Sequence, residues 1–318
     1  MMHFDVFNGD ADGLCALHQL RLETPVESVL ITGVKRDVAL LQRVPALPGD
    51  SVTVLDISAA TNHAALVALL ERGAWVDYFD HHYAGDLPVH PGLRATIDAS
   101  ADVCTGILVD RHLGGKHRAW AVVAAFGDNL GRIAQALAAP LALQPEALAL
   151  LRELGESLAY NAYGDVEGDL IIHPATLYRI LRPYADPFRF IAAEPVLRRI
   201  GDARRDDLER AGASTPTYAL DRAQVYILPD AAWSRRVRGV FGNQLANAHP
   251  ALAHAILSPD AHGGYTVSVR APLARPTGAD ALCREFATGG GRTSAAGIDH
   301  LPRAALPDFV RRLARAYA

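Results

Sequence analysis

The segment DVFNGDADG at residues 5–13 leads an apolar strand into a turn that carries two carboxylates, Asp10 and Asp12, followed by Gly13. Three further stretches, VTVLDIS (52–58), WVDYFDHH (75–82) and VVAAFGDN (122–129), likewise run from apolar residues straight into acid or histidine. A lone Asp-rich turn is most often a cap or a loop. Read together as four parallel strands of one sheet, the segments bring Asp10, Asp12, Asp56, Asp128 and His81 to one edge. In open α/β sheets ligands bind there, outside the carboxyl ends of the strands. Oxygen donors with imidazole and no thiolate favour Mn²⁺ or Mg²⁺ over structural zinc. Two such ions about 3.5–4 Å apart clamp a phosphate and activate water, so the expected chemistry is hydrolysis.

Outward from these stretches, the first half alternates short apolar runs with helical patterns, which predicts a parallel α/β sheet. Strands are expected at 2–7, 27–32, 51–55, 74–79 and 94–97, with helices at 13–22 and 146–160. Thr61 is expected to N-cap a helix that places Ala65, Leu66, Leu69 and Leu70 on one face. Residues 103–113 read as a buried helix; 120–126 read as helix or strand by periodicity alone. A charged helix at 194–212 separates this half from a smaller α/β region that contains VYIL (225–228), AHAILS and YTVSVRA.

The chain has 318 residues, half of them hydrophobic and 21% charged, which fits a globular protein of two domains. The net charge of −4 gives no overall attraction to nucleic acid, so an anionic substrate needs local cations or metal. Lys35 and Lys116 are the only lysines in an arginine-rich chain. Three widely spaced cysteines without a CxxC pattern argue against a disulfide framework or a zinc site. A strand entered within three residues leaves no room for a signal peptide. The most apolar window, 133–151, is interrupted by Gln135, Pro140, Gln144, Pro145 and Glu146, so a cytoplasmic protein with no membrane contact is expected.

The motifs DADG, LDIS, DHH and GDN, followed by TVSVRA (266–271) and GGGRTSAAG (289–297), resemble in order and spacing the DHH phosphoesterase superfamily. The likeness is to the subgroup with the DHH-associated C-terminal domain and covers almost the whole chain. That subgroup includes nanoRNase/pAp-phosphatase enzymes, cyclic-dinucleotide phosphodiesterases and single-strand-specific exonucleases. The resemblance implies a parallel-sheet DHH domain at 1–185, a helical connector at 186–215 and a smaller α/β substrate-binding domain at 216–318, with the site in the cleft between domains. It makes Asp10, Asp12, Asp56, His81 and Asp128 metal ligands for two ions, with Asp56 as the bridge. It has Asp80 orient His81 and His82 contact the scissile phosphate. Arg270, Gly289, Gly290, Gly291 and Arg292 are placed on the substrate.

Two departures from the family pattern stand out. Asn8, a neutral and weaker ligand, stands where members carry a histidine or an aspartate. Arg292 stands where the loop has histidine, which keeps a cation but removes a titratable group. The expected activity is Mn²⁺- or Mg²⁺-dependent hydrolysis of short oligonucleotides or small nucleotides such as pAp and pApA. Pyrophosphate or polyphosphate hydrolysis is the alternative reaction; a nucleotide-binding regulator without turnover is the alternative class. A homodimer is compatible with the resemblance. Asp98, Ser100, Asp102 and Thr105 read mainly as helix-capping residues. Tyr160, Asn161 and Tyr163 read as core residues more readily than as a base-stacking platform.

Overall fold

Strands β1 (His3–Phe7), β2 (Val29–Ile31), β3 (Ser51–Leu55), β4 (Trp75–Asp80) and β5 (Leu93–Ile97) pair in the order β2-β1-β3-β4-β5, every pair parallel. Parallel sheets need both faces covered; here one face is apolar along β1, β3 and β4, and the other is apolar at the carboxyl ends of those strands. Phe4, Val6, Val52, Val54, Val76 and Tyr78 pack with Leu66, Leu69 and Leu70 of helix α2 (His63–Glu71). Phe7, Leu55 and Phe79 face the opposite way, into a core shared by α1 (Ala11–Glu23), α3 (Thr105–His112), α4 (Arg118–Gly127) and α6 (Pro145–Asn161). Helices α5 (Gly131–Ala138), α7 (Pro174–Leu181) and α8 (Pro187–Ala193) complete that side.

The computed structural model describes residues 1–318 and divides into two units, Met1–Gly201 and Asp202–Ala318. The division falls inside α9 (Val196–Gly212). The second unit is a six-stranded mixed sheet in the order β10-β11-β9-β8-β7-β6. Its strands are β6 (Tyr218–Ala219), β7 (Ala223–Ile227), β8 (Ala253–Pro259), β9 (Tyr265–Arg270), β10 (Gly289–Gly291) and β11 (Ala295–Leu301). Only β7 and β8 pair in parallel, joined by the crossover helix α10 (Ala232–Ala248). Helices α11 (Ala279–Arg284) and α12 (Leu306–Ala316) close the other face. The expected α/β class with a parallel sheet and a second, smaller α/β domain is met. No helix is long and apolar enough to cross a membrane.

Two local expectations are corrected. Residues 122–127 are not a fourth strand of the acidic edge; they are the second half of α4, which Asp128 caps. The run is uniformly buried and so has no period to read, but its small residues suit close helix packing. A Cβ on Gly127 would lie 2.3 Å from the Cβ of Ala11, and one on Gly155 would lie 2.4 Å from the carbonyl of Val123. The second correction is at α2, whose N-cap is Asn62 rather than Thr61. The Asn62 amide is used elsewhere, donating to the carbonyls of Val38 at 2.6 Å and Ser58 at 3.0 Å.

Candidate metal centre

The site is built from the ends of β1, β3 and β4 and from the C-cap of α4. After β1 the chain turns through Asn8-Gly9-Asp10. Asp10 then N-caps α1, its Oδ1 accepting the N–H groups of Asp12 at 3.0 Å and Gly13 at 3.3 Å. Gly13 is required here, since a Cβ would stand 2.2 Å from the Asn8 carbonyl. Asp12, in the first turn of α1, turns its carboxylate onto the start of α3. Its Oδ2 accepts from Thr105 N–H at 2.8 Å and its Oδ1 from Gly106 N–H at 2.7 Å. The orphan donors of α3 are therefore capped from α1. Asp98, expected to cap this helix, instead accepts from the N–H of Ser100 at 3.0 Å.

Asp56 follows β3 with φ of +60°, a left-handed conformation that aspartate tolerates better than most residues but at a cost in strain. It is held there by its own N–H, which donates to the Phe79 carbonyl at 3.0 Å, and Thr105 Oγ1 donates to its Oδ1 at 3.4 Å. β4 ends on Asp80, so His81 and His82 come directly off the sheet edge. His81 Nε2 stands 3.3 Å from Asp56 Oδ1, 3.8 Å from Asp128 Oδ2 and 3.9 Å from Asp12 Oδ2. Around an octahedral ion with bonds of about 2.1 Å, neighbouring donors stand about 3.0 Å apart and opposite ones about 4.2 Å. The observed spacings fall in that range, and the oxygen-rich set with one imidazole fits a hard divalent cation. Asp56, His81 and His82 can also each present one donor atom within 4.8 Å of the others. The Nδ1 of His82, however, is taken by Asp80.

The electrostatics ask for a cation. Burial, together with the charges of Asp12 and Asp10, pushes the Asp56 carboxyl well above the ordinary aspartate range. Burial and the charge of Asp12 bring Asp128 up to about 6. Asp10 behaves oppositely: burial would raise it, but the charge and hydrogen bond of Lys35 outweigh that and hold it low. The ammonium of Lys35 lies 2.6 Å from Asp10 Oδ2 and 3.7 Å from Asp128 Oδ1.

Asp80 does not orient His81 as expected. Its Oδ1 lies 2.7 Å from Nδ1 of His82, while its Oδ2, also buried, has no hydrogen-bond partner. That bond raises the pKa of His82 above the ordinary value, against the effect of partial burial. The Asn8 side chain is occupied as well: its Oδ1 accepts from Asp10 N–H at 3.2 Å and its Nδ2 donates to the Lys35 carbonyl at 3.3 Å.

In the second unit Arg270 closes β9, its guanidinium donating to Asn243 Oδ1 at 2.5 Å, Ser268 Oγ at 2.9 Å and the Gly239 carbonyl at 3.1 Å. Gly289–Gly291 form the edge strand β10, paired with β11. A Cβ on Gly289 would strike the Cys283 carbonyl at 1.7 Å, and Gly291 has φ of +138°. Gly290 faces open space and Arg292 is exposed. Tyr160 and Asn161 are buried structural residues, the latter donating to the Ile172 carbonyl at 2.8 Å. Lys35 is the site residue that the motif reading passed over. Its one signal is its place in the sequence, a rare lysine just beyond a strand beside β1.

No family profile and no curated protein sequence matches the chain. Solved structures do. A manganese-bound exonuclease RecJ superposes with a TM-score of 0.65 at 21% identity over 99% of this chain and 90% of its own. The fold is that of RecJ. RecJ from Thermus thermophilus in complex with Mn²⁺ gives a TM-score of 0.65 at 19% identity, and this chain spans 52% of its length. PggH, a pGpG-specific phosphodiesterase from Vibrio cholerae, gives 0.54 at 14% identity over 99% of both chains.

Proposed function

We propose that the protein is a Mn²⁺- or Mg²⁺-dependent phosphoesterase that hydrolyses phosphoester bonds of short oligonucleotides or small nucleotides of the pAp and pApA kind. The observation that carries this reading is the convergence of Asp12, Asp56 and Asp128 on His81 Nε2, each within 3.9 Å. Asp12, Asp56, His81 and Asp128 would hold the metal, with Asp10 beside them. Bound there, a divalent ion supplies Lewis-acid polarisation of the phosphoryl group and acidifies water. The fold shared with RecJ and PggH, whose names give an exonuclease and a pGpG phosphodiesterase, supports phosphodiester hydrolysis as the reaction class.

The protein's own groups have distinct tasks in this reading. Asp80 fixes the His82 ring through Nδ1 and favours its protonated form. His82 then offers Nε2–H as a donor to the phosphoryl or leaving oxygen. Arg270, beside Asn243 and Ser268, supplies a cationic fork for a terminal phosphate. The open face of Gly290 and the exposed Arg292 leave backbone and charge accessible to the same anion.

The test is a Mn²⁺-supplemented panel of pAp, pApA, pGpG, short RNA and DNA oligomers, cyclic dinucleotides and pyrophosphate, with product release followed by chromatography. Mononucleotide or phosphate release from the short substrates is expected, abolished by chelator and by Asp56→Ala without a change in circular dichroism. Absence of Mn²⁺-dependent hydrolysis across the panel, or full activity in Asp56→Ala, defeats the reading.

A further inference from the structure

The four aspartates do not surround one point. Asp12, Asp56 and Asp128 gather around His81 Nε2; Asp10 touches Asp56 but lies off His81, with its Oδ1 on the start of α1 and its Oδ2 on Lys35. Asp10 is the one of the four aspartates that does not face His81 Nε2, and so the one left to ligate a second ion. The Lys35 ammonium occupies that position, 2.6 Å from Asp10 Oδ2 and 3.7 Å from Asp128 Oδ1. An ammonium at 2.6 Å from a carboxylate oxygen and 3.7 Å from the next sets its charge against that of any ion bonded at about 2.1 Å to the same oxygen.

Lys35 is also held from its backbone. Its N–H donates to the Ala162 carbonyl at 2.9 Å and its own carbonyl accepts from Asn8 Nδ2 at 3.3 Å. The segment that carries it presses on the turn after β1: a Cβ on Gly9 would stand 2.1 Å from the Gly33 carbonyl. Asn8 thus spends its amide on positioning Lys35 and on the Asp10 N–H, and it brings no charge of its own to a second ion.

We propose that Lys35 takes the place of one of the two ions, so that the centre holds a single divalent cation on Asp12, Asp56, His81 and Asp128. The tethered ammonium is then the second positive charge of the site, present whatever the metal concentration. This rests on the metal-dependent reading above. A lysine is a compact point charge with three donors, so it can pair with Asp10 and still donate to a phosphoryl oxygen. It cannot acidify water as a divalent ion does, which leaves that task to the single metal.

The experiment uses the full chain with Mn²⁺ as the probe, measuring bound metal by plasma mass spectrometry after equilibrium gel filtration, and electron paramagnetic resonance on the same samples. The wild-type protein is expected to bind one Mn²⁺ per chain with a mononuclear six-line spectrum. Lys35→Ala is expected to bind two with an exchange-coupled spectrum, and Lys35→Arg to remain at one. Lys35→Gln, with folding checked by circular dichroism, serves if the alanine variant does not fold. Two ions in the wild-type chain overturn the proposal and leave the metal reading standing, as does a count of one in every folded Lys35 variant. A wild-type chain that binds no Mn²⁺ overturns the metal reading and this proposal with it.

Discussion

Asp128→Asn should stabilise the metal-free protein while removing most of what metal contributes. Burial and the neighbouring charge of Asp12 raise the Asp128 carboxyl from 3.8 to about 6, a value that already includes the opposing pull of Lys35. A folded-state pKa above the unfolded one means stability is fully present below about pH 4, falls as pH rises towards 6, and stays lost above it. At about 1.4 kcal/mol per tenfold in the proton equilibrium, the rise corresponds to about 3 kcal/mol at neutral pH. Asparagine keeps the shape and removes the charge, so in chelator it should recover stability of that order at pH 7.5 and almost none at pH 4. Mn²⁺ reverses the ranking only at high excess: a hundredfold excess over its dissociation constant stabilises the wild-type chain by about 2.7 kcal/mol and nearly closes the gap, a thousandfold excess by about 4.1 kcal/mol overturns it, and the variant gains far less. Urea unfolding followed by tryptophan fluorescence measures both effects. Trp75 and the fully buried Trp120 report the first unit, and a Trp233→Phe background silences the second. An Asp128→Asn protein that is no more stable than wild type in chelator at pH 7.5, or a stability gap that persists unchanged at pH 4, refutes the reasoning.

Two further outcomes follow from buried or tethered histidines. The His82 ring titrates above its ordinary value chiefly because of the Asp80 bond, so Asp80→Asn should move its midpoint, read by nuclear magnetic resonance in metal-free protein, to lower pH; an unmoved midpoint removes Asp80 from that role. His18 is buried against the edge of Trp120, with Nε2–H donating to the Tyr184 carbonyl at 2.7 Å, and burial lowers it to about 4. Its contribution is fully present above 6.5 and drains away as pH falls from 6.5 to 4, by about 3 kcal/mol in total. His18→Leu should lose some stability at pH 8, because the Tyr184 carbonyl loses its donor, yet show a flatter decline between those pH values. An equally steep decline in the variant assigns it to other groups.

Legibility in the sequence followed the range over which each feature is determined. β1, β3 and β4 declare themselves locally, because a short apolar run followed by Asp, or by Asp and two histidines, has few other readings in an alternating α/β pattern. The parallel order and the shared edge then place Asp10, Asp12, Asp56 and His81 together. Residues 120–127 carry no period, and only their packing decides the matter: Gly127 against Ala11 and Gly155 against Val123 demand a helix with near neighbours. Asp128 still reaches the site, since the C-cap of α4 lies within 3.8 Å of His81 Nε2.

The remaining features depend on contacts between segments distant in sequence. Asp12 caps a helix that begins 93 residues later, so no local cap signal marks that N-terminus. Asp80 serves His82 and not His81, a choice made by the turn of the chain after β4 and invisible in the letters DHH. Lys35 meets Asp10 only because β2 pairs beside β1 and because Gly9 admits the carbonyl of Gly33. The same contacts give Asn8 its meaning. As a sequence departure it reads as the loss of a ligand; in the fold it binds the backbone of the residue whose charge stands at Asp10. Under the single-ion proposal the neutral Asn8 and the cationic Lys35 therefore act as one device: Asn8 holds the backbone of Lys35, and Lys35 supplies at Asp10 the charge that a second ion would bring.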